Sequence, residues 1–144
     1  MKPVNTISPE TYNAILKVLD LVNIQLYRFN AKMNEEIKSN CLVYSIKDTI
    51  DFTQTDNLLR INYTYKFEAK NKDADKKDIA IVIEATYKVF YRLKDGGYQI
   101  TEEFMDIFGK MSLSILLWPY FREFINNTIY RMGLPQLILP LKRT

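Results

Sequence analysis

Apolar side chains recur along this chain at two intervals, and the changes of interval divide it into three parts. In the first part they fall every three or four residues, at Tyr12, Ile15, Leu16, Leu19 and Val22. Ser8-Pro9-Glu10 precedes them and reads as a helix start: a hydroxyl N-cap, proline at the first helical position and an acid in the first turn. The spacing predicts a helix over residues 9–22. The interval then drops to two. Residues 24–33 are apolar at 24 and 26, then at 27, 29, 31 and 33. The slip of phase at Leu26-Tyr27 predicts a bulge in a long strand. A polar connection, residues 34–40, leads to a second alternating run through Leu42, Tyr44, Ile46, Ile50 and Phe52.

The third run alternates without a fault. Leu59, Ile61, Tyr63, Tyr65, Phe67 and Ala69 face one way, and Arg60, Asn62, Thr64, Lys66 and Glu68 the other. The charged stretch NKDADKKD reads as a hairpin tip. A fourth strand over residues 79–93 is apolar at every odd position. Its even positions mix Ala80, Val82 and Phe90 with Glu84, Thr86, Lys88 and Arg92. That mixture predicts partial burial against another subunit. Four long successive strands with polar connections predict an antiparallel meander, which Lys94-Asp95-Gly96-Gly97 ends.

Helical spacing returns at Thr101-Glu102-Glu103 and continues through Phe104, Ile107, Phe108, Met111 and Ile115, with Gly109 as an expected interruption. Trp118-Pro119 reads as a restart, with Pro119 at the first helical position. Phe121, Phe124, Ile125, Thr128, Ile129 and Met132 then form one apolar face. Gly133 suits the left-handed position after the last turn, and Pro135 blocks continuation. An apolar extended tail follows over residues 133–144. The fold class is α+β, a four-stranded antiparallel sheet with helices on one side.

Composition narrows the function more by exclusion than by indication. At 144 residues the chain reads as one domain, 1–144, large enough to bury a core without staples. The single cysteine, Cys41, excludes an internal disulfide and fits a reducing compartment. The N-terminus has no apolar signal region, and no apolar run is long enough to span a bilayer, so a cytoplasmic protein without membrane insertion is expected. The net charge is +3, with both signs mixed along the chain. A nucleic-acid binder usually concentrates its basic residues more than this.

Catalytic chemistry is hard to place. The chain has no histidine, which removes Ser/His/Asp and Cys/His nucleophilic systems and the usual zinc sites. It has no glycine-rich phosphate motif, so no nucleotide cofactor is expected. Asp73, Asp75, Asp78 and Glu84 only faintly suggest a calcium loop, because the turn glycine is missing and Lys77 sits at a ligand position. Glu102 and Glu103 suit the start of a helix dipole better than an acid pair. No enzyme, metal or cofactor is expected. Two alternatives remain open: a small-ligand-binding cone with a sheet curved around a helix, and a nucleic-acid-binding sheet using Arg60, Lys66, Lys88 and Arg92.

The end of the chain resembles the SecB family of export chaperones. Trp118-Pro119-Tyr120-Phe121-Arg122-Glu123 matches that family's Phe-Pro-Tyr-aliphatic-Arg-Glu motif at the start of its long helix. Leu134-Pro135-Gln136-Leu137-Ile138-Leu139-Pro140 matches its aromatic-Pro-Gln-Leu-Asn-Leu-Ala-Pro tail with one residue fewer. Val82, Ile83, Glu84 and Tyr91 fit a strand-four pattern of an apolar pair, Glu and a later aromatic. The resemblance covers residues 24–140. It implies a homotetramer, a dimer of dimers, that holds unfolded or partly folded polypeptides in apolar grooves without nucleotide hydrolysis.

The departures from the family matter equally. Export members are strongly acidic and use an acidic sheet face plus a basic C-terminal tail to dock on the translocase ATPase, SecA. This chain is basic, ends four residues past the tail motif, and adds an N-terminal helix. Those differences count against SecA docking and leave room for a dedicated client such as an antitoxin of a toxin–antitoxin system. Position places the expected peptide-binding residues at Ile37, Leu42, Tyr44, Phe104, Phe108, Met111 and Trp118. The expected oligomer interface is Val82, Ile83, Glu84, Phe121, Ile125 and Ile129.

Overall fold

The computed structural model describes residues 7–34, 42–71, 79–95, 97–135 and 137–141. Its elements run α1 (Pro9–Val18), β1 (Leu19–Met33), β2 (Leu42–Thr55), β3 (Leu58–Asn71), β4 (Ile79–Leu93), α2 (Glu102–Phe108), a π-helical turn (Gly109–Leu113) and α3 (Ser114–Arg131). Cys41, Ile37 and the Asp73–Asp78 stretch lie outside the described residues.

Helix α1 starts as the sequence requires. The Thr11 amide donates to Ser8 Oγ at 3.1 Å, and Pro9 occupies the first turn. It ends earlier than its apolar spacing suggests, at Val18 rather than residue 22. Leu19 and Leu21 are drawn into the sheet instead, opposite Leu93 and Tyr91 of β4. The Lys94 amide donates to the Val18 carbonyl at 2.8 Å, and the Lys94 ammonium pairs with Asp20 at 3.2 Å. Ladder hydrogen bonds along a 15-residue partner strand outweigh one further helical turn.

All four strands are antiparallel, but their order is β1-β4-β3-β2. The expected meander therefore holds only for β2, β3 and β4, and β1 closes the far side of β4 in a Greek-key order. Alternation tells which face a residue occupies and says nothing of which strand lies beside it. The bulge expected at Leu26-Tyr27 is present between Leu26 and Arg28, and a second lies between Leu21 and Asn23. Strand β4 is interior, so side chains of β1 and β3 cover its outer face. Ala80 and Thr86 are buried there, with Thr86 Oγ1 2.9 Å from Thr64 Oγ1. Within the chain itself, the neighbouring strands already bury part of that face.

The core lies between the odd positions of β3 and β4 and the helices. Leu59, Ile61, Tyr65, Phe67, Ile83, Ala85 and Val89 are fully buried on the sheet side. Phe104, Phe108, Leu117, Trp118, Phe121, Ile125 and Ile129 meet them from the helices. The sheet is open and the helices lie on one side of it, so the alternative of a cone wrapped around a helix is not the architecture.

The helical region does not restart at Pro119. Residues 102–131 run on through the π turn, and Pro119 sits inside α3. Proline leaves the Ile115 carbonyl without its usual donor. Ile115 is 73% exposed, so that side of the helix faces water. Gly109 opens the π turn because Ile50 of β2 lies directly against it; a Cβ there would overlap Ile50 Cδ1. At the far end Gly133 takes φ 80°, the Gly133 amide donates to Tyr130 O at 3.0 Å, and the Leu134 amide to Ile129 O at 3.4 Å. This is a Schellman stop, as the sequence predicts.

Candidate peptide-binding surface

The two stretches that carry the family resemblance touch in space. Trp118 Nε1 donates to the Pro140 carbonyl at 2.8 Å, and Arg122 Nε donates to the Leu139 carbonyl at 2.6 Å. Leu139 is fully buried between them. Two donors one helical turn apart thus seize successive carbonyls of an extended segment. That requires Trp and Arg at i and i+4 of α3, which is the spacing of the motif. The tail is held against the helix by these bonds and by one apolar anchor.

Beyond α3 the helix side of the sheet is left partly uncovered along both edges. On β1, Leu21, Leu26, Phe29 and Met33 share the face of the core through their pairing with Tyr91, Tyr87, Ala85 and Ile81, yet all four are exposed. Phe29 is 62% exposed and makes an edge-on contact with Phe124 at 5.3 Å. An open trough of about 350 Å3 runs between β1 and α3, lined by Leu26, Phe29, Tyr87, Tyr120 and Phe124 with Glu123 and Arg131 at its rim. Burial pushes the Tyr87 hydroxyl well above the usual tyrosine range, with the Tyr65 and Glu123 charges adding to it, so the floor of the trough is neutral.

On the opposite edge, Leu42, Tyr44 and Ile46 of β2 face the helix side. Tyr44 is exposed and stacks on Phe67 with ring centroids 5.5 Å apart. Further along the strand Asp48 accepts a 2.6 Å hydrogen bond from the Tyr63 hydroxyl. Burial first, and then this bond, raise the Tyr63 hydroxyl above its ordinary range. Next comes Ile50 under the π turn, from which Met111 projects 63% exposed. Tyr44 and Ile50 are six residues apart, roughly 20 Å of strand. The end of β2 is clamped by Gln54. Its Nε2 donates to the Tyr98 carbonyl at 2.9 Å, and its Oε1 accepts from the Ile100 amide at 2.7 Å. That clamp sets the path from the sheet into α2.

The sequence-predicted site residues fall into three groups. Tyr44 and Met111 are exposed along β2 and the π turn, and Leu42 beside them is half-buried against the core. Phe104, Phe108 and Trp118 are buried: Phe104 stacks on Phe108 at 5.3 Å, Phe108 meets Tyr91 at 5.4 Å, and Trp118 lies 6.1 Å from Tyr65. They are core residues and present no side chain on the surface. Ile37 lies outside the described residues. Of the expected interface residues, Ile83, Phe121, Ile125 and Ile129 belong to the subunit's own core, because α3 turns its apolar stripe onto β3 and β4. Phe121 stacks on Tyr65 at 4.4 Å and 10°. Val82 and Glu84 are half-buried on the outer sheet face. The apolar face of β1 was overlooked as a surface. Its residues alternate like core residues, and only the strand order places them at an edge that α3 touches through Phe124 and does not cover.

An open four-stranded sheet in this order, with a long helix on one face and an extended tail tied to that helix, is a SecB-like fold. The structure of the Mycobacterium tuberculosis SecB-like chaperone, in complex with a ChAD peptide from the HigA1 antitoxin, matches it with a TM-score of 0.74 at 17% identity, over 89% of this chain and 93% of that one. A protein of unknown function from Streptococcus agalactiae matches at a TM-score of 0.44 and 7% identity, over 85% of this chain and 96% of that one, too distant to carry an argument. No protein-family model matches the sequence, and no curated protein does. The likeness first visible in two short motifs extends to the whole backbone.

Proposed function

We propose that this chain is the subunit of a SecB-like, ATP-independent chaperone that holds unfolded polypeptides. The observation that carries this reading is the set of apolar side chains left uncovered on the helix side of a SecB-like sheet. Leu42, Tyr44 and Met111 contact the client, and Phe104, Phe108 and Trp118 support them from behind. Fully burying one client Leu or Phe side chain is worth about 1.5–3 kcal/mol. Several such contacts along one chain act together, so a sequence-tolerant surface can still retain its client. Strand β2 is also a sheet edge, and its main-chain groups can pair with an extended client whatever its sequence.

Strand β1 is the other edge, fifteen residues long and apolar on one face. An edge of that kind calls for a cover. In this reading a second copy covers it and makes a dimer, and dimers pair into a homotetramer in the cytoplasm. The client is either a precursor for export or a dedicated partner such as an antitoxin; the solved relative bound to an antitoxin peptide supports the second. The basic charge of the chain counts against SecA docking.

An aggregation assay tests it. Equimolar tetramer, without nucleotide, is expected to keep a chemically unfolded protein soluble, and Tyr44→Asp with Met111→Asp to abolish the effect. Protection of an antitoxin-type client alone would assign the dedicated role. Failure with both kinds of client would sink the proposal.

A further inference from the structure

The face of the sheet turned away from the helices carries a net positive charge. Register places Arg28 and Lys32 of β1, Lys88 and Arg92 of β4, Arg60, Lys66 and Lys70 of β3, and Lys47 of β2 on it, with Asp20, Asp51, Glu68 and Glu84. Eight cations thus stand against four carboxylates among the described residues, an excess larger than the +3 of the entire chain. The fold gathers onto one surface a charge that looks evenly mixed along the sequence.

Its placement is specific. Lys47 and Lys66 are direct cross-strand partners. Like charges in that position destabilise a sheet. On its other side Lys66 faces Glu84 of β4, and Glu68 Oε1 lies 4.0 Å from its ammonium, at the limit of an ion pair. A second cationic pair, Arg60 and Arg92, lies on a diagonal of β3 and β4, since Arg60 is opposite Phe90. Arg60 and Lys66 are six residues apart on β3, roughly 20 Å. Between the pairs lies a row of hydroxyls, Thr49, Thr64 and Thr86.

We propose that this face docks an extended acidic polypeptide segment, with carboxylates about six residues apart on the two cationic pairs. Charge complementarity selects that partner. A polypeptide can set cations of its own against the interleaved Glu68 and Glu84, which a continuous line of phosphates cannot. The aromatic rings at this face are also partly occupied: Lys88 Nζ sits 3.9 Å from the centre of the Tyr27 ring, and Phe90 is half-buried. The site is separate from the client surface and does not depend on the chaperone reading.

The probe is a labelled peptide with two Glu pairs six residues apart, and its Gln counterpart, followed by fluorescence anisotropy against the full chain. The Glu peptide is expected to bind and to weaken with salt, and the Gln peptide not to bind. Lys47→Glu with Arg60→Glu is expected to weaken binding about tenfold or more. Lys17→Glu with Lys110→Glu changes the net charge equally on other elements and is expected to leave binding within threefold. Lys47→Glu alone replaces a like-charge pair by an opposite one, so it is expected to raise the urea midpoint while lowering peptide affinity. Zero-length cross-links from the peptide to the wild-type chain are expected at Lys47 and Lys66. Three results would overturn the proposal: equal loss in both double variants, cross-links confined to other lysines, or a DNA duplex that binds the same residues more tightly than the peptide.

Discussion

Tyr91 shows how a single buried side chain ties this fold to pH. Burial pushes its hydroxyl up to about 12, and Tyr63 and Tyr87 are raised for the same first cause. A raised acid stays protonated in the native chain while the unfolded chain begins to ionise near pH 10. The unfolded state then binds fewer protons, so stability falls as pH rises. Native stability is expected to be insensitive to these groups below about pH 9 and to drop between about pH 10 and 12. Urea midpoints measured across that range check it, and Tyr91→Phe should flatten part of the decline. Gly109 offers a second test. An alanine there gains about 1 kcal/mol of helix propensity but must displace Ile50 Cδ1. Gly109→Ala is expected to destabilise by about 1–3 kcal/mol in the wild-type background. In Ile50→Val, which lacks that methyl group, the same change should be neutral or stabilising, and additivity of the two would refute the contact.

At the scale of elements the long helix is the informative case. A proline at the first helical position costs nothing, whereas one inside a helix removes a hydrogen bond and crowds the preceding turn. Because Pro119 lies inside α3, Pro119→Ala is expected to stabilise the chain by about 1–3 kcal/mol. Calorimetry would read this as a higher melting temperature. A neutral or lower value would favour two separate helices. The π turn just before it belongs to the same arrangement. It lets the chain pass Ile50 closely at Gly109 and still bring Leu117, Trp118 and Phe121 onto β3 and β4.

At the scale of the whole molecule the chain has two open sheet edges and two chemically different faces. The helix side is apolar at its margins, and the outer side is cationic. If a second copy covers β1, Leu26→Asp with Phe29→Asp should break that contact. Both residues are already exposed in the subunit, so the fold itself should survive. Light scattering is expected to show a smaller assembly with an unchanged circular dichroism spectrum. An unchanged mass would place the interface elsewhere.

Much of this was legible in the chain. Period-two alternation located all four strands, the slip at Leu26-Tyr27 located a bulge, and Ser8, Thr101 and Gly133 marked helix ends through their own side chains or backbone freedom. These are local effects, and a sequence contains them whole. The prolines on either side of the tail marked it as extended, and the bonds from Trp118 and Arg122 to Pro140 and Leu139 hold it on the helix. What an apolar residue faces was less legible. Phe121 and Phe29 look alike in the pattern, yet one is core and the other surface.

By itself, then, the sequence determined the elements, the apolar face of each, and the absence of histidine-based chemistry. Tertiary structure alone decided the order β1-β4-β3-β2, and with it which apolar residues α3 covers and which it leaves exposed. It also gathered cations scattered over some sixty-five residues, from Arg28 to Arg92, onto one side of the sheet. The physical reason is common to both outcomes. Periodicity assigns a side chain to a face of its own element, but burial and charge density depend on the neighbouring elements. Those neighbours are chosen by long-range pairing that no short window of sequence contains.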